Sequence, residues 1–163
     1  MNLEISVESD PWNEVNVKAV TEDSVEAAFS IIEPHRLNSA IEICFLFTND
    51  DEVRLLNKTY RGIDKPTNVL SFPTNLTSED LDDYSGEEEG PAYILGSVAL
   101  AYETIKRESL DQNKTVENHL KHLIVHSLLH LLGHTHAEAT AAKKMESLEV
   151  AILGKLNVSN PYQ

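Results

Sequence analysis

The sequence predicts an α/β (α+β) fold, a single mixed sheet of about four strands with helices packed on it. Stretches with apolar residues at every second position alternate along the chain with stretches where they recur every third or fourth position. With 163 residues, 41% of them hydrophobic, the chain is long enough to bury one core. It contains no internal repeat and no Gly/Ser linker. Residues 1–163 are therefore predicted to form one domain.

Four strands are predicted, at residues 3–7, 39–47, 69–72 and 92–101. In the second, Ile41, Ile43, Phe45 and Phe47 fall on one side, which predicts a buried face. The fourth has Gly-Ser at positions 96–97, which indicates a possible β-bulge. The single cysteine, Cys44, cannot form an internal disulfide, and we expect it to pack in the core rather than act as a nucleophile.

Five helices are predicted between and after these strands. The first covers residues 15–33, the second begins after the cap Asn49 and ends at Gly62, and the third covers 102–113. A long helix begins near Thr115, and a last one covers 137–156. Apolar residues surround nearly the whole circumference of the long helix, which predicts that it is central and buried. They are Val116, Leu120, Leu123, Ile124, Val125, Leu128, Leu129, Leu131 and Leu132.

The charge of the chain, formally −14, argues against a polyanionic partner over the surface as a whole. Much of this charge is concentrated, because residues 77–90 hold seven carboxylates and no base and indicate a solvated loop. Lys58, Arg61 and Lys65 fall together, so a local cleft could still attract an anion. The first residues lack a signal-peptide pattern, and no apolar run approaches membrane-spanning length. We therefore expect a cytoplasmic protein without a membrane partner.

The long helix carries a pattern typical of a metal site. His126 and His130 are four residues apart, so both imidazoles lie on one helix face. Gly133 can end or turn the helix, and His136 can then supply a third nitrogen. Three histidines with an open fourth position are typical of one catalytic zinc ion. Spacing alone leaves His134 as an alternative third ligand.

Two further histidines, His119 and His122, fall on nearly the same stripe one or two turns earlier. We expect them to pack near the site or to support its ligands.

A metal held in this way points to hydrolysis, and two classes of substrate have to be compared. The spacing matches the long zinc-peptidase pattern, but Ser127 stands where that pattern has its catalytic glutamate. Another glutamate could take the place of the catalytic one only if the fold brings it close to the metal. The candidates are Glu138, Glu146 and Glu149. Phosphodiester cleavage instead suits a metal paired with a guanidinium, which directs attention to Arg61. Arg61 could equally complement the dipole of its helix, and Lys65 is expected in an exposed turn.

Two segments together resemble a known family. They are Arg-Gly-x-Asp-Lys-Pro-Thr-Asn-Val-Leu-Ser-Phe at positions 61–72 and His-x-x-x-His-x-x-Gly-x-x-His at positions 126–136. Their order and separation, with Leu-Gly at 95–96 between them, are similar to those of the YbeY family of endoribonucleases, also called rRNA maturation factors. The resemblance covers roughly residues 49–153. It implies one Zn²⁺ held by His126, His130 and His136, with Arg61 placed for catalysis or substrate binding.

The resemblance further implies a single-strand-directed endoribonuclease that acts in 3′-end maturation of small-subunit rRNA and in ribosome quality control. Its implied partner is precursor rRNA, and the acidic surface favours basic ribosomal proteins or the small ribosomal subunit as further partners. Three positions depart from the family pattern: Ser127 replaces Gly, Thr135 replaces Asp, and Ser97 replaces Asp. A zinc metallopeptidase and a non-catalytic, metal-stabilised ribosome-assembly factor are the alternatives.

Overall fold

A computed structural model describes residues 1–38, 40–74 and 93–163. Within these residues the chain forms four strands and five α-helices. The strands are β1 (Asn2–Val7), β2 (Ile41–Thr48), β3 (Val69–Pro73) and β4 (Tyr93–Ala101). The helices are α1 (Val17–Ile32), α2 (Asp50–Arg61), α3 (Tyr102–Asp111), α4 (Val116–Leu131) and α5 (Ala139–Lys155). The acidic segment at residues 77–90 lies outside the described residues.

The four strands form one mixed sheet, as the sequence predicted, and their order is β1, β2, β4, β3. β1 and β4 run parallel to β2, and β3 runs antiparallel to β4. The predicted bulge is confirmed, because Glu42 pairs with Ile94 while Ile43 pairs with Gly96. Leu95 is the additional residue, and this places the following part of β4 in register with β3.

The helix boundaries agree with the prediction to within two residues, because the capping residues act as expected. The Asn49 side chain accepts a hydrogen bond from the backbone N–H of Glu52 at 2.9 Å, and Thr115 caps α4 through the N–H of Asn118 at 3.1 Å. Gly62 ends α2 with a φ of 69°. None of the helices in the described ranges has the length and apolar character that crossing a membrane requires.

The sheet is covered unequally on its two faces. Helices α1, α4 and α5 pack on the face formed by alternate β2 residues such as Ile43 and Phe45, and this is the main core. Helix α2 packs through Val53 on the other face, against Leu70 and Ala99. As predicted, α4 is buried around most of its circumference, and it also contacts β3. One end of the buried helix therefore lies beside the edge strand of the sheet.

The prediction that Cys44 packs in the core is wrong. Strand alternation turns its side chain away from Ile43 and Phe45, toward the less covered face, where it is only half-buried. Burial, followed by the charges of Glu4 and Glu42, raises the pKa of the Cys44 thiol. The thiol is therefore a weaker nucleophile than an ordinary cysteine at neutral pH.

Gly96 occupies a position where the structure has no room for a side chain. A Cβ there would lie 2.5 Å from Leu131 Cδ2, 2.7 Å from the Phe72 carbonyl oxygen and 3.2 Å from Pro73 Cα. Two of these three neighbours are backbone atoms of β3, which cannot move aside independently of the sheet. Gly96 thus permits the close approach of β4, β3 and the end of α4.

We expect Gly96→Ala to destabilise the protein by about 1 to 3 kcal/mol, since it forces an overpacked methyl group against backbone. Gly154→Ala is the matched control, because Gly154 lies in α5 with nothing within 4 Å of its Cβ position. The control should be neutral or stabilising by up to about 1 kcal/mol through helix propensity. Urea denaturation of both variants measures the difference. Equal stabilities would contradict the steric explanation.

Candidate metal centre

Three of the predicted site histidines lie close together at the end of α4. His126 and His130 are one turn apart on that helix, and His136 follows the turn at Gly133, whose φ is 90°. One ring nitrogen from each of the three lies within 4.8 Å of the other two. The Nε2 atoms of His126 and His130 are 3.0 Å apart. The structure thus brings together the three residues that the spacing singled out.

The geometry and chemistry of these donors fit a metal ion. Nitrogen ligands 2.0 to 2.1 Å from a tetrahedral zinc lie about 3.3 Å from one another, close to the separation between His126 and His130. The pKa of His130 is lowered by burial and then by the neighbouring His126 and His136, which favours the neutral form that binds metal. Among the described residues the group has no fourth protein donor. A metal held here would keep a coordination position for water or substrate.

His134, the alternative third ligand, does not belong to this group of donors. It lies on the wall of the adjacent cleft, and its pKa is lowered chiefly by burial. The turn at Gly133 therefore brings His136 rather than His134 toward the two histidines of α4.

Glu149, on α5, is only 1% exposed and contacts His126 of the site. Its Oε1 accepts a hydrogen bond from Nδ1 of His126 at 2.5 Å. Its Oε2 lies 3.1 Å from His122 Nε2 and accepts from the Tyr162 hydroxyl at 2.5 Å. Burial alone would raise the pKa of this carboxyl, but these hydrogen bonds outweigh it and lower the pKa to about 2.

Sequence reasoning named Glu149 only as one of three possible substitutes for a peptidase glutamate. The structure places it on Nδ1 of His126, the ring nitrogen that does not face His130. The other two candidates, Glu138 and Glu146, are exposed. A signal was present in the sequence, because Glu149 shares the inward face of its helix with Met145 and Ile152. A carboxylate on an apolar stripe indicates a buried, paired charge.

His119 and His122 have the supporting contacts expected of them. His119 is buried and its Nε2 lies 3.1 Å from Glu108 of α3, a carboxylate that also accepts a hydrogen bond from Asn68 at 2.9 Å. This chain of contacts joins α4, α3 and the residue preceding β3. His122 shares Glu149 with His126.

Arg61, the predicted catalytic residue, is the last residue of α2 and lies at the rim of the same cleft as His126 and His130. Its Nη2 donates a hydrogen bond to the Ser71 carbonyl oxygen at 2.6 Å. Its guanidinium carbon is 5.5 Å from the centre of the Phe72 ring. Among the described residues it makes no other hydrogen bond, so most of its donors can face a ligand. These contacts fix the guanidinium against β3.

The cleft between β3 and the end of α4 has a volume of about 600 Å³. Among the described residues, none that line it is an aspartate or glutamate, although the chain as a whole is strongly acidic. Along this described part of the wall an anion therefore meets no carboxylate as it approaches the histidines. The lining residues are Arg61, Asn68, Val69, Leu70, Ser71, Pro73, His122, Leu123, His126, His130, Gly133, His134, Thr135 and Tyr162.

The three departures from the family pattern lie in different environments. Ser127 is fully buried behind the ligands, and its hydroxyl has no hydrogen-bond partner among the described residues. Thr135 is exposed on the cleft wall beside His136. Ser97 lies on the other face of the sheet, in a groove with Cys44. Of the three, Thr135 is the one whose side chain can meet a molecule in the cleft.

The fold and sequence are similar to those of known proteins. A solution structure of a protein from Thermotoga maritima is similar with a TM-score of 0.57 at 21% identity, covering 99% of both chains, which shows a shared fold. An Endoribonuclease YbeY from Erythrobacter litoralis is 44% identical over 163 residues, covering 99% of this chain and 98% of that protein. One from Rhodopseudomonas palustris is 41% identical, covering 98% of this chain and 80% of that protein.

The model of the YbeY family, described as Endoribonuclease YbeY, matches residues 5–157. This match includes the end of β1 and all of α1, which the sequence motifs did not reach. The chain belongs to the YbeY family of endoribonucleases.

Proposed function

We propose that this protein is a zinc-dependent endoribonuclease that cleaves single-stranded precursor rRNA in 3′-end maturation of the small subunit and in ribosome quality control. One observation carries the proposal: three imidazoles converge, and two of them, His126 and His130, line a cleft that also contains Arg61 and has no carboxylate among the described residues of its wall. Family membership supports the reaction class. The resemblance of residues 61–72 and 126–136 to the family motifs supports the rRNA substrate and the zinc ion.

The residues of the cleft have separate tasks in this proposal. His126, His130 and His136 would hold the zinc, which supplies Lewis acidity toward water or a phosphoryl oxygen. Arg61, fixed by Ser71 and Phe72, would pair with phosphate oxygens and stabilise the charge that develops on them. The rest of the wall is apolar or uncharged, apart from the histidines, and would accommodate ribose and bases.

The peptidase alternative is disfavoured by the same geometry. A zinc peptidase needs a carboxylate that takes a proton from water and delivers it to the leaving amine. Position 127 is a buried serine, and Glu149, the one carboxylate among the described residues that contacts a ligand histidine, is sequestered by three hydrogen-bond donors. With a pKa of about 2, that group is also a poor base.

The first test is metal binding. Zinc should raise the melting temperature of the metal-free protein by about 5 to 10 °C at a hundredfold excess over Kd, since binding to the folded state alone contributes about 2.7 kcal/mol. His126→Ala and His130→Ala should abolish both this increase and RNA cleavage. His35→Ala is the matched control, because His35 is exposed and outside the donor group. Scanning calorimetry with zinc analysis of the purified proteins gives the result.

Cleavage without bound metal, in either histidine variant, would contradict a metal-dependent mechanism. Zinc binding with stabilisation but no cleavage of any RNA would instead support the assembly-factor alternative. Turnover of peptides without turnover of RNA would revive the peptidase.

The second test distinguishes the role of Arg61 in cleavage from the role of the metal. Arg61→Ala should keep one equivalent of zinc and lose about 100-fold or more in kcat/KM on a single-stranded rRNA 3′ segment, as expected for loss of a charge-stabilising donor. Arg61→Lys should recover only part of this, because an ammonium cannot make a two-pronged contact with phosphate. Lys58→Ala, which removes the same charge one turn earlier and outside the cleft, is the control. Full activity in Arg61→Ala would remove that residue from the mechanism.

A further inference from the structure

The two carboxylate oxygens of Glu149 have different partners, one in the metal centre and the others next to it. Oε1 accepts from Nδ1 of His126 alone, while Oε2 faces both His122 Nε2 and the Tyr162 hydroxyl. A buried carboxylate needs such donors, since an unpaired charge in this position is strongly unfavourable. All three partners lie outside α5, so Glu149 ties this helix both to α4 and to the segment that follows α5.

These contacts determine which nitrogen of His126 is available to a metal. An ionised carboxylate only accepts hydrogen bonds, so the proton of neutral His126 must reside on Nδ1. The lone pair then resides on Nε2, the atom that lies 3.0 Å from Nε2 of His130. A ligand histidine whose other nitrogen is bound by a carboxylate is fixed both in tautomer and in ring orientation.

Tyr162 connects a separate part of the chain to this arrangement. Its backbone N–H donates to the Asn160 side chain at 2.8 Å, which forms a turn after α5, and its hydroxyl donates to Glu149. A tyrosine hydroxyl is protonated at neutral pH and can donate, and burial followed by the hydrogen bond to Glu149 raises its pKa further. Tyr162 also forms part of the cleft wall.

We propose that Glu149 is the positioning residue for His126 and that Tyr162 completes the hydrogen bonding of Glu149. The affinity of the centre for zinc then depends on the contact between the segment after α5 and Glu149. The inference rests on the proposed function, because it takes His126 to be a zinc ligand. It assigns no chemical step to either residue. Their effect is on the free energy of metal binding, through the tautomer and orientation of one imidazole.

The experiment compares Glu149→Leu, Glu149→Gln and Tyr162→Phe with the wild-type protein. Leucine fills the space but accepts no hydrogen bond, whereas glutamine keeps one acceptor oxygen for three donors. Zinc affinity is measured at neutral pH by competition with a chromophoric chelator. We expect Glu149→Leu to bind zinc about 10 to 100-fold more weakly, with glutamine in between. Tyr162→Phe should lose about three to tenfold, the effect of a typical single hydrogen bond, because Tyr162 acts on the ligand only through Glu149.

Glu146→Gln is the matched control, since it removes the same charge from an exposed position on the same helix, three residues away. Its zinc affinity should remain within about twofold of wild type, because an exposed charge is screened by solvent. Unfolding of each metal-free variant by urea identifies any that fails to fold. If Glu149→Leu does not fold, the glutamine and phenylalanine variants decide the question.

A second measurement reads the tautomer directly. Two-bond ¹H–¹⁵N spectra of histidine-labelled, metal-free protein should show His126 with its proton on Nδ1, and a mixture of tautomers in Glu149→Leu. Wild-type zinc affinity in both the glutamine and phenylalanine variants, or an unchanged tautomer in Glu149→Leu, would overturn the proposal. The proposed function fails separately, if the wild-type protein binds zinc in this way and cleaves no RNA.

Discussion

The structure depends on helix α4, which forms part of the hydrophobic core and also carries two histidines of the candidate metal centre. Helix α4 is buried between α1, α5 and the sheet, so its leucines and isoleucine fix its position and rotation. Its one polar stripe, from His119 to His130, must then find partners or face the cleft beside β3. Glu108 and Glu149 supply partners to three of the four histidines. Close packing around the rest of the helix thus fixes the positions of the histidines that face the cleft, where we propose that the chemistry takes place.

Much of this arrangement could be predicted from local sequence patterns. Periodicity and capping residues such as Asn49 and Gly62 gave the elements and their ends, because these signals act within a few residues. The spacing of His126, His130 and His136 was informative for the same reason, since a helix turn and one glycine determine the distances. The strand order and the position of Arg61 beside β3 could be known only from the structure. The motif at residues 61–72 nevertheless spans the end of α2 and most of that strand.

The parts that could not be predicted depend on distant segments meeting. Glu149 lies 23 residues after His126, and only the return of α5 across α4 brings them together. The position of Glu149 on an apolar helix face indicated a buried, paired carboxylate. No sequence pattern indicated a role for Tyr162, because a single tyrosine after a helix is compatible with many environments. Cys44 was misplaced because a cysteine within an alternating apolar run was expected in the core, while its side chain lies on the second face of the sheet, which α2 covers only in part.

The described wall of the cleft carries no carboxylate although the protein is acidic, and this affects how fast the protein encounters RNA. In most nucleic-acid-binding proteins affinity decreases with added salt, because phosphate contacts displace counterions. Here the formal charge of −14 repels the approaching strand over most of the surface, and the favourable region is local. Dissolved ions screen repulsion beyond about 10 Å at 0.1 M before they weaken a direct guanidinium contact. Catalytic efficiency on naked RNA should therefore pass through a maximum as ionic strength rises, and a basic protein bound to the substrate would have the same effect as the salt.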